Sequence, residues 1–314
     1  MNSTLPRTAY MLQIHNNPEQ VNKFINQLIS GDHVDVYVHI DKKYYETCNG
    51  RIIESPNVKV LNKSVDCEWG DISQVDTTLL LLNEVMSSQK TYDYVCLRSG
   101  QDLLVKNGFH NYLLENKGKV FLNYRSMKNE LGLVELEWPR ITRKRYTSAH
   151  PVRIYRRIAQ ELHRKGINVL PNKNYWPKDY SFYKGSQWFT IPYTVANYMI
   201  DFLQENKWYY KFFENTLIPD ESFFHTLIMN SPYKADVVNN NLLFLKWGET
   251  LSDRNSPQYL KSEDIPQIEK SNQYFARKFD EQIDPLVVDY FTQKYSLRGV
   301  NEVSPNEEQL VIAD

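Results

Sequence analysis

The chain has 314 residues, enough to bury a substantial core as one large α/β domain or two small ones. Its 37 basic and 38 acidic side chains leave a formal net charge of -1, so no broad basic face for nucleic acid is implied. With 11 glycines, and neither a Walker loop nor a dinucleotide glycine fingerprint, any bound phosphate must be held by side chains.

The opening Met1–Arg7 is short and polar, which predicts no secretory leader, and the apolar run around Leu79–Leu82 is too short to cross a bilayer. Cys48, Cys67 and Cys96 are odd in number and lack CxxC spacing. That argues against a disulfide scaffold or a zinc site and for a reducing compartment. Tyr is abundant, at 22 residues. Tyr and Trp suit stacking on sugar faces, although most read as core and surface filler.

Thr8–His15 reads as a buried first strand ending in polar Gln13 and His15, followed by a helix over Asn17–Ile29 with Val21, Phe24, Ile25 and Leu28 on one face. Val34–Ile40 is a second strand with Asp41 just beyond it. Val58–Leu61 is a third, leading into Cys67-Glu68-Trp69-Gly70. Ser73–Ser87 has helical periodicity. Tyr94–Leu97 runs as a fourth strand into Arg98-Ser99-Gly100-Gln101-Asp102, and Lys119–Leu122 is a fifth. Strands alternating with helices predict a mostly parallel sheet covered on both faces. Ligands bind such sheets outside the carboxyl ends of the strands, where His15, Asp41, Trp69 and Asp102 fall.

The middle is basic and aromatic. Trp138-Pro139-Arg140 and Arg143-Lys144-Arg145-Tyr146 precede Arg153, Arg156 and Arg157, which read as a solvated helix face. Asn172–Tyr183 and Gly185-Ser186-Gln187-Trp188 lack periodicity and predict long loops over the open face of the sheet. Further on, Tyr193–Glu205 is helical, and Pro219-Asp220-Glu221-Ser222 opens a helix running through Phe223, Phe224, Leu227 and Ile228. Leu242–Trp247 reads as a strand, Ile265–Ser271 as a helix, and the chain from Val300 onward as a loosely ordered polar tail.

Five blocks together carry a resemblance. They are Val36–Lys43, Tyr94–Asp102, Gly185–Trp188, Pro219-Asp220-Glu221 and Phe275–Asp280, and they span roughly residues 8 to 285. In this order they resemble the Core-2/I-branching β-1,6-N-acetylglucosaminyltransferases and the related peptide xylosyltransferases. The resemblance implies a GT-A-like α/β fold: a single catalytic domain over 1–300, with a nucleotide-binding half (8–124) and an acceptor and catalytic half (125–285). It implies inverting transfer from a UDP-sugar, most simply UDP-N-acetylglucosamine, without a divalent metal or other cofactor. Xylosyl or hexosyl transfer within the same family is the alternative. Animal members carry an anchor, a stem and disulfides, so this chain resembles a bacterial-type cytoplasmic member with peripheral contact at the inner face of a membrane. The implied partners are the UDP-sugar and a glycan or glycolipid acceptor, with oligomeric state left open.

Inverting transfer needs one carboxylate to deprotonate the acceptor hydroxyl as it attacks opposite the leaving UDP. The resemblance assigns this to Glu221 and leaves Asp220 as a helix cap. UDP departs with growing negative charge. The stretch after the fourth strand offers Asp102 alone where an Asp-x-Asp metal site would need more oxygen ligands. Lys278, with Arg277, is the implied cation there, and Arg254 a weaker upstream match. Lys278 is the expected inward residue of the adjacent pair. His15, His39, Asp41 and Ser73 complete the expected UDP contacts. Asp102, Gly100, Gly185, Trp188, Arg143 and Arg145 are expected around the donor and acceptor sugars, with Asp102 touching the sugar or orienting a neighbour. His225, four residues after Glu221, would share its helix face as a bystander. Two rivals compete: a glycoside hydrolase pairing Glu221 with Asp102, and a sugar-binding protein on an inactive transferase scaffold.

Overall fold

The computed structural model describes residues 5–29, 33–147, 149–248 and 256–296. The runs TAYMLQI, VDVYVHI and YVCLRS are buried along nearly their whole length, as strands covered on both faces should be. They form β1 (Thr8–Ile14), β2 (Val34–Ile40) and β4 (Tyr94–Ser99), which with the shorter β3 (Val58–Val60) run parallel. β5 (Leu103–Leu104), β6 (Val120–Phe121), β7 (Arg125–Ser126), β8 (Tyr183–Lys184), β9 (Thr190–Pro192), β10 (Val237–Val238), β11 (Leu243–Leu245) and β12 (Phe275–Arg277) follow. The main sheet has seven strands in the order β10-β6-β9-β4-β1-β2-β3, and only β9 runs against the others. This is the mostly parallel, helix-flanked α/β sheet of a GT-A-like fold. A second sheet, β11-β12-β5, and the β7–β8 pair complete it.

The helices are α1 (Pro18–Leu28), α2 (Tyr45–Cys48), α3 (Ser73–Met86), α4 (Phe109–Glu115), α5 (Gly132–Glu135), α6 (Pro151–Arg164), α7 (Tyr193–Glu205), α8 (Lys207–Phe213), α9 (Phe223–Met229), α10 (Ile265–Lys270) and α11 (Pro285–Lys294). α1 starts where Asn17, at φ 52°, caps it by accepting the Gln20 N–H, with Pro18 at the first helical position. Val21, Phe24, Ile25 and Leu28 are fully buried. Each such side chain contributes about 1.5–3 kcal/mol. The abundant aromatics are largely core: the Trp176 ring stacks on Phe182 at 4.3 Å and lies 4.4 Å from the Phe212 ring.

The helix expected from Pro219 is broken. Pro219–Glu221 is a single 3-10 turn, entered through Ile218 at φ 57° and left at Ser222, before α9 begins. His225 therefore does not share a helix with Glu221. Arg156 also departs from the solvated face expected of it. It is buried, donating from Nε to the Thr142 carbonyl and from Nη2 to the Lys144 carbonyl, because α6 packs that side onto the preceding turn. Residues 297–314, including the expected polar tail, lie outside the described residues.

Candidate active site

The carboxyl ends of β1, β2 and β4 bring the first group of residues together. The Asp41 backbone N–H donates to the Ile14 carbonyl, and the Asp41 carboxylate caps the next turn by accepting the Lys43 N–H at 3.0 Å. His15 lies edge-on to Tyr44, with ring centres 6.0 Å apart. Burial lowers its pKa, Asp41 opposes this, and the charges of Arg277 and Lys278 lower it further. His15 is thus within electrostatic reach of both strand ends and the cationic pair. His39 is committed elsewhere: its Nε2 accepts the Val65 N–H at 2.8 Å, and burial pushes the imidazole down to about 4. It holds the loop after β3 as a neutral acceptor.

After β4 the chain turns tightly. The Asp102 carboxylate accepts the Ser99 N–H at 3.1 Å through Oδ2, while Oδ1 lies 3.5 Å from Arg277 Nε. Asp102 is fully buried and faces Arg277. Burial pushes its carboxyl up, and Arg277 opposes the shift. A hydrolase pairing Glu221 with Asp102 has no accessible second carboxyl here. Gly100 serves packing, since an added Cβ would lie 2.8 Å from Val21 and 3.0 Å from Ile14. Arg98 is also fully buried. It donates to the Leu97 and Phe189 carbonyls and to Thr190 Oγ1, and lies 4.3 Å over the Phe275 ring.

Arg277 ends β12, and its guanidinium carbon lies 4.4 Å over the Trp188 ring. It is the deeper member of the pair; Lys278 is only partly buried, against the expectation that Lys278 alone points inward. Strand geometry explains this, because β12 is held between β11 and β5 up to Arg277 and the next residue leaves the sheet. Lys278 Nζ donates to Ser256 Oγ and sits 6.0 Å from the Tyr259 ring centre. Burial, then the charges of Arg277 and Arg145, pull its ammonium down to about 8. Arg145, exposed on the basic segment, therefore belongs to the same cationic group. Arg277, balanced in part by Asp102, stands with Lys278 and Arg145 in a group of net positive charge, which suits an anion. Arg254 lies outside the described residues.

The segment Gly185–Trp188 joins this anion site to the candidate base. At one end the Gly185 N–H donates to the Glu221 carbonyl at 2.8 Å; at the other, Trp188 lies under Arg277. A Cβ at position 185 would fall 1.9 Å from the Asn123 carbonyl oxygen and 2.9 Å from His225 Nε2, so only glycine fits. Glu221 Oε2 lies 3.1 Å from Lys184 Nζ, and the side chain is 40% exposed, accessible to an acceptor. Lys184 also meets Glu130 at 3.3 Å. Asp220, expected as a cap, has a sequestered Oδ1 with no hydrogen-bond partner among the described residues. Burial, with the Glu221 charge beside it, pushes its carboxyl up to about 7. His225 is buried behind Gly185, and burial pushes it down to about 3, a neutral packing residue.

Ser73 and Arg143 act on the loop before α3. Ser73 Oγ accepts the Glu68 N–H at 2.9 Å. Arg143 Nη1 meets Asp71 Oδ2 at 3.1 Å and donates to the Glu214 carbonyl at 2.6 Å. The Gly70 carbonyl accepts the Ile218 N–H, so this loop abuts the turn that carries Glu221. Trp69 stays 40% exposed, with the Arg156 guanidinium 5.6 Å from its ring centre. Among the described residues no three of His, Cys, Asp and Glu come together as a metal-holding group. A separate apolar groove of 670 Å³, lined by Leu79, Ile200, Leu203 and Trp208 among others, shares no residue with this cluster.

Sequence reasoning missed Lys184, Glu130, Arg98 and the bridging role of Gln13. Gln13 donates to Thr78 Oγ1 at 2.9 Å and accepts from Gln187 Nε2 at 3.1 Å. A lysine directly before the Gly185 block was the one available signal for Lys184.

The Core-2/I-Branching enzyme family model matches residues 8–127 and 142–271. The chain is 25% identical to a xylosyltransferase of Ciona intestinalis over 92% of its own length, and 24% identical to xylosyltransferase oxt of Drosophila melanogaster over 90%. It is 23% identical to xylosyltransferase 2 of Rattus norvegicus over 91%. In each case it spans about a third of the relative, 34%, 32% and 33% respectively.

Proposed function

The chain belongs to the Core-2/I-branching enzyme family of glycosyltransferases, and from that premise we infer that it moves a sugar from a UDP-linked donor to a hydroxyl of a glycan or glycoconjugate, with inversion. The observation that carries the reading is the Gly185–Trp188 segment. It links the Glu221 turn to Arg277, and thus a carboxylate accessible to an acceptor to a group of cations. Glu221 takes the proton of the attacking hydroxyl. Arg277, Lys278 and Arg145 receive the UDP diphosphate and stabilise the charge that grows on it during departure. Fixed cations of this kind act without a divalent ion.

The donor is UDP-xylose rather than the UDP-N-acetylglucosamine that the family resemblance suggested first. The names of the relatives support the pentose, which belongs to the alternative transfer within the same family. A screen of UDP-xylose, UDP-N-acetylglucosamine, UDP-glucose and UDP-galactose, reading UDP release, tests both statements. Fastest release from UDP-xylose is expected. Preference for the acetamido sugar would overturn the donor, and no release from any UDP-sugar would leave a sugar-binding protein on a transferase scaffold.

A further inference from the structure

We propose that residues 140–147 and 149–173 form a surface that docks onto an anionic phospholipid membrane. Ten of the charged residues in this segment are Lys or Arg and one, Glu161, is acidic, within a chain whose net charge is -1. Glu161 is already engaged by Arg164 at 2.7 Å. Arg143 and Arg156 are buried, which leaves eight basic side chains toward solvent.

The same segment turns aliphatic side chains outward. α6 buries Arg156 and Ala159 on its inner side, so Ile154 and Ile158, one turn apart, lie on the opposite face. They are 47% and 54% exposed. Ile141 in the preceding turn is 64% exposed, and Ile167, Val169 and Leu170 after the helix are exposed as well. These pieces form one surface. Arg156 clamps the 140–144 turn to α6 through the Thr142 and Lys144 carbonyls. The Glu137 N–H donates to the Leu170 carbonyl and the Asn172 N–H to the Glu135 carbonyl, while His163 on α6 lies 2.9 Å from Glu135.

A helix with basic flanks and an outward aliphatic face lies in the headgroup region of a bilayer, burying the aliphatics among acyl chains and placing its cations at anionic phosphates. A soluble acidic polysaccharide would match the charge but leave the aliphatic groups in water. No helix among the described residues is long and apolar enough to cross a membrane, so this helix rests on the surface. The surface borders the active-site cleft, because Arg145 acts on Lys278 and Arg156 lies over Trp69.

The test is sedimentation of the full chain with vesicles of phosphatidylcholine alone or mixed with phosphatidylglycerol. Binding is expected only to the mixed vesicles and should weaken as salt is raised. Ile154→Ser/Ile158→Ser should lower partitioning at least about tenfold. Arg140→Gln/Arg157→Gln should lower it about thirtyfold, and both variants should keep the parent melting temperature. Equal binding to neutral vesicles, or none to anionic ones, would overturn the proposal. So would unchanged partitioning of the serine variant. If, in addition, the glutamine variant alone lost retention on a carboxylated polysaccharide, the segment would be a polyanion site instead. UDP affinity measured beside these assays separates a failure of this surface from a failure of the transferase reading.

Discussion

Asp102 Oδ1 lies 3.5 Å from Arg277 Nε in a position closed to solvent, and this pair fixes the guanidinium above the Trp188 ring. The carboxylate is itself held by the Ser99 N–H, so a turn of β4 sets the position of a cation from β12. The pair adds to the Arg98 and Tyr10 contacts with Phe275 that also join the two sheets. Arg277 keeps the planar face needed for stacking, and in the proposed reading its outer nitrogens meet the diphosphate.

Asp102→Asn should therefore be costly although it conserves shape. It leaves Arg277 buried with no counter-charge, and breaking a buried pair by removing one partner costs about 3–5 kcal/mol. Urea denaturation would measure the loss, and Asp102→Asn/Arg277→Met should recover part of it. A single variant as stable as the parent would mean that the pair contributes nothing to the fold.

Glu221→Gln should lower kcat by about a hundred- to ten-thousand-fold while leaving UDP affinity within about twofold. The amide keeps the size of the side chain and cannot accept the acceptor's proton. Stopped-time product analysis with calorimetric UDP titration would check both halves. A loss in kcat below about tenfold would move the base to Asp220, whose carboxyl stands near 7 beside it.

Gly185→Ala should destabilise the chain by about 1–3 kcal/mol and reduce turnover well beyond its effect on UDP binding. The added methyl meets backbone, the Asn123 carbonyl, and cannot be relieved by a side-chain rotation. Any shift moves the N–H that holds the Glu221 carbonyl. Thermal melts together with kcat would test this, and a variant with parent activity would show that the turn is positioned by other contacts.

Turnover should survive EDTA. Asp102 is enclosed and Asp41 caps a turn, so neither strand end presents two free carboxylates for a hard cation. Activity lost on chelation and regained with manganese would overturn the cationic account of the diphosphate site.

How much of this was legible depended on element length. β1, β2 and β4 are long, buried and continuous, so their apolar runs announced them, and His15, Asp41 and Asp102 followed at their ends. β5, β7, β8, β9 and β12 are two or three residues each, too short for a period to register, whereas the equally short β3, β6 and β11 lay within apolar runs that could be read. That is why the strand holding Arg277 was missed and the burial order of Arg277 and Lys278 came out reversed. The break between Glu221 and α9 depends on Ile218 adopting a positive φ, which no isoleucine advertises in sequence. Arg156 was misjudged because a basic helix face gives no sign of which arginine folds inward.

Lys278 carries a pH signature with two opposite readouts. Its ammonium is held at about 8 against an ordinary 10.5, by burial first and by Arg277 and Arg145 next. Between those values the unfolded chain binds more protons at this residue than the folded one, so its contribution to stability rises with pH across that window. Below about 8 the cost of the buried charge is fully present. Lys278→Met removes that titration. The variant should be more stable than the parent at neutral pH by an amount of order 1–3 kcal/mol, and the gap should close toward pH 10. UDP affinity should move the other way. The diphosphate is held more tightly by the charged ammonium, so affinity in the parent should fall as pH rises past about 8 and level off about ten- to a hundredfold lower once Lys278 is neutral, where Arg277 and Arg145 still hold it. Lys278→Arg keeps its charge through this range and should flatten the decline. Calorimetric titration with UDP and urea denaturation, each at several pH values, would measure the two slopes. An equal fall in affinity for parent and Lys278→Arg would assign the titration to another group and leave the diphosphate to Arg277 and Arg145.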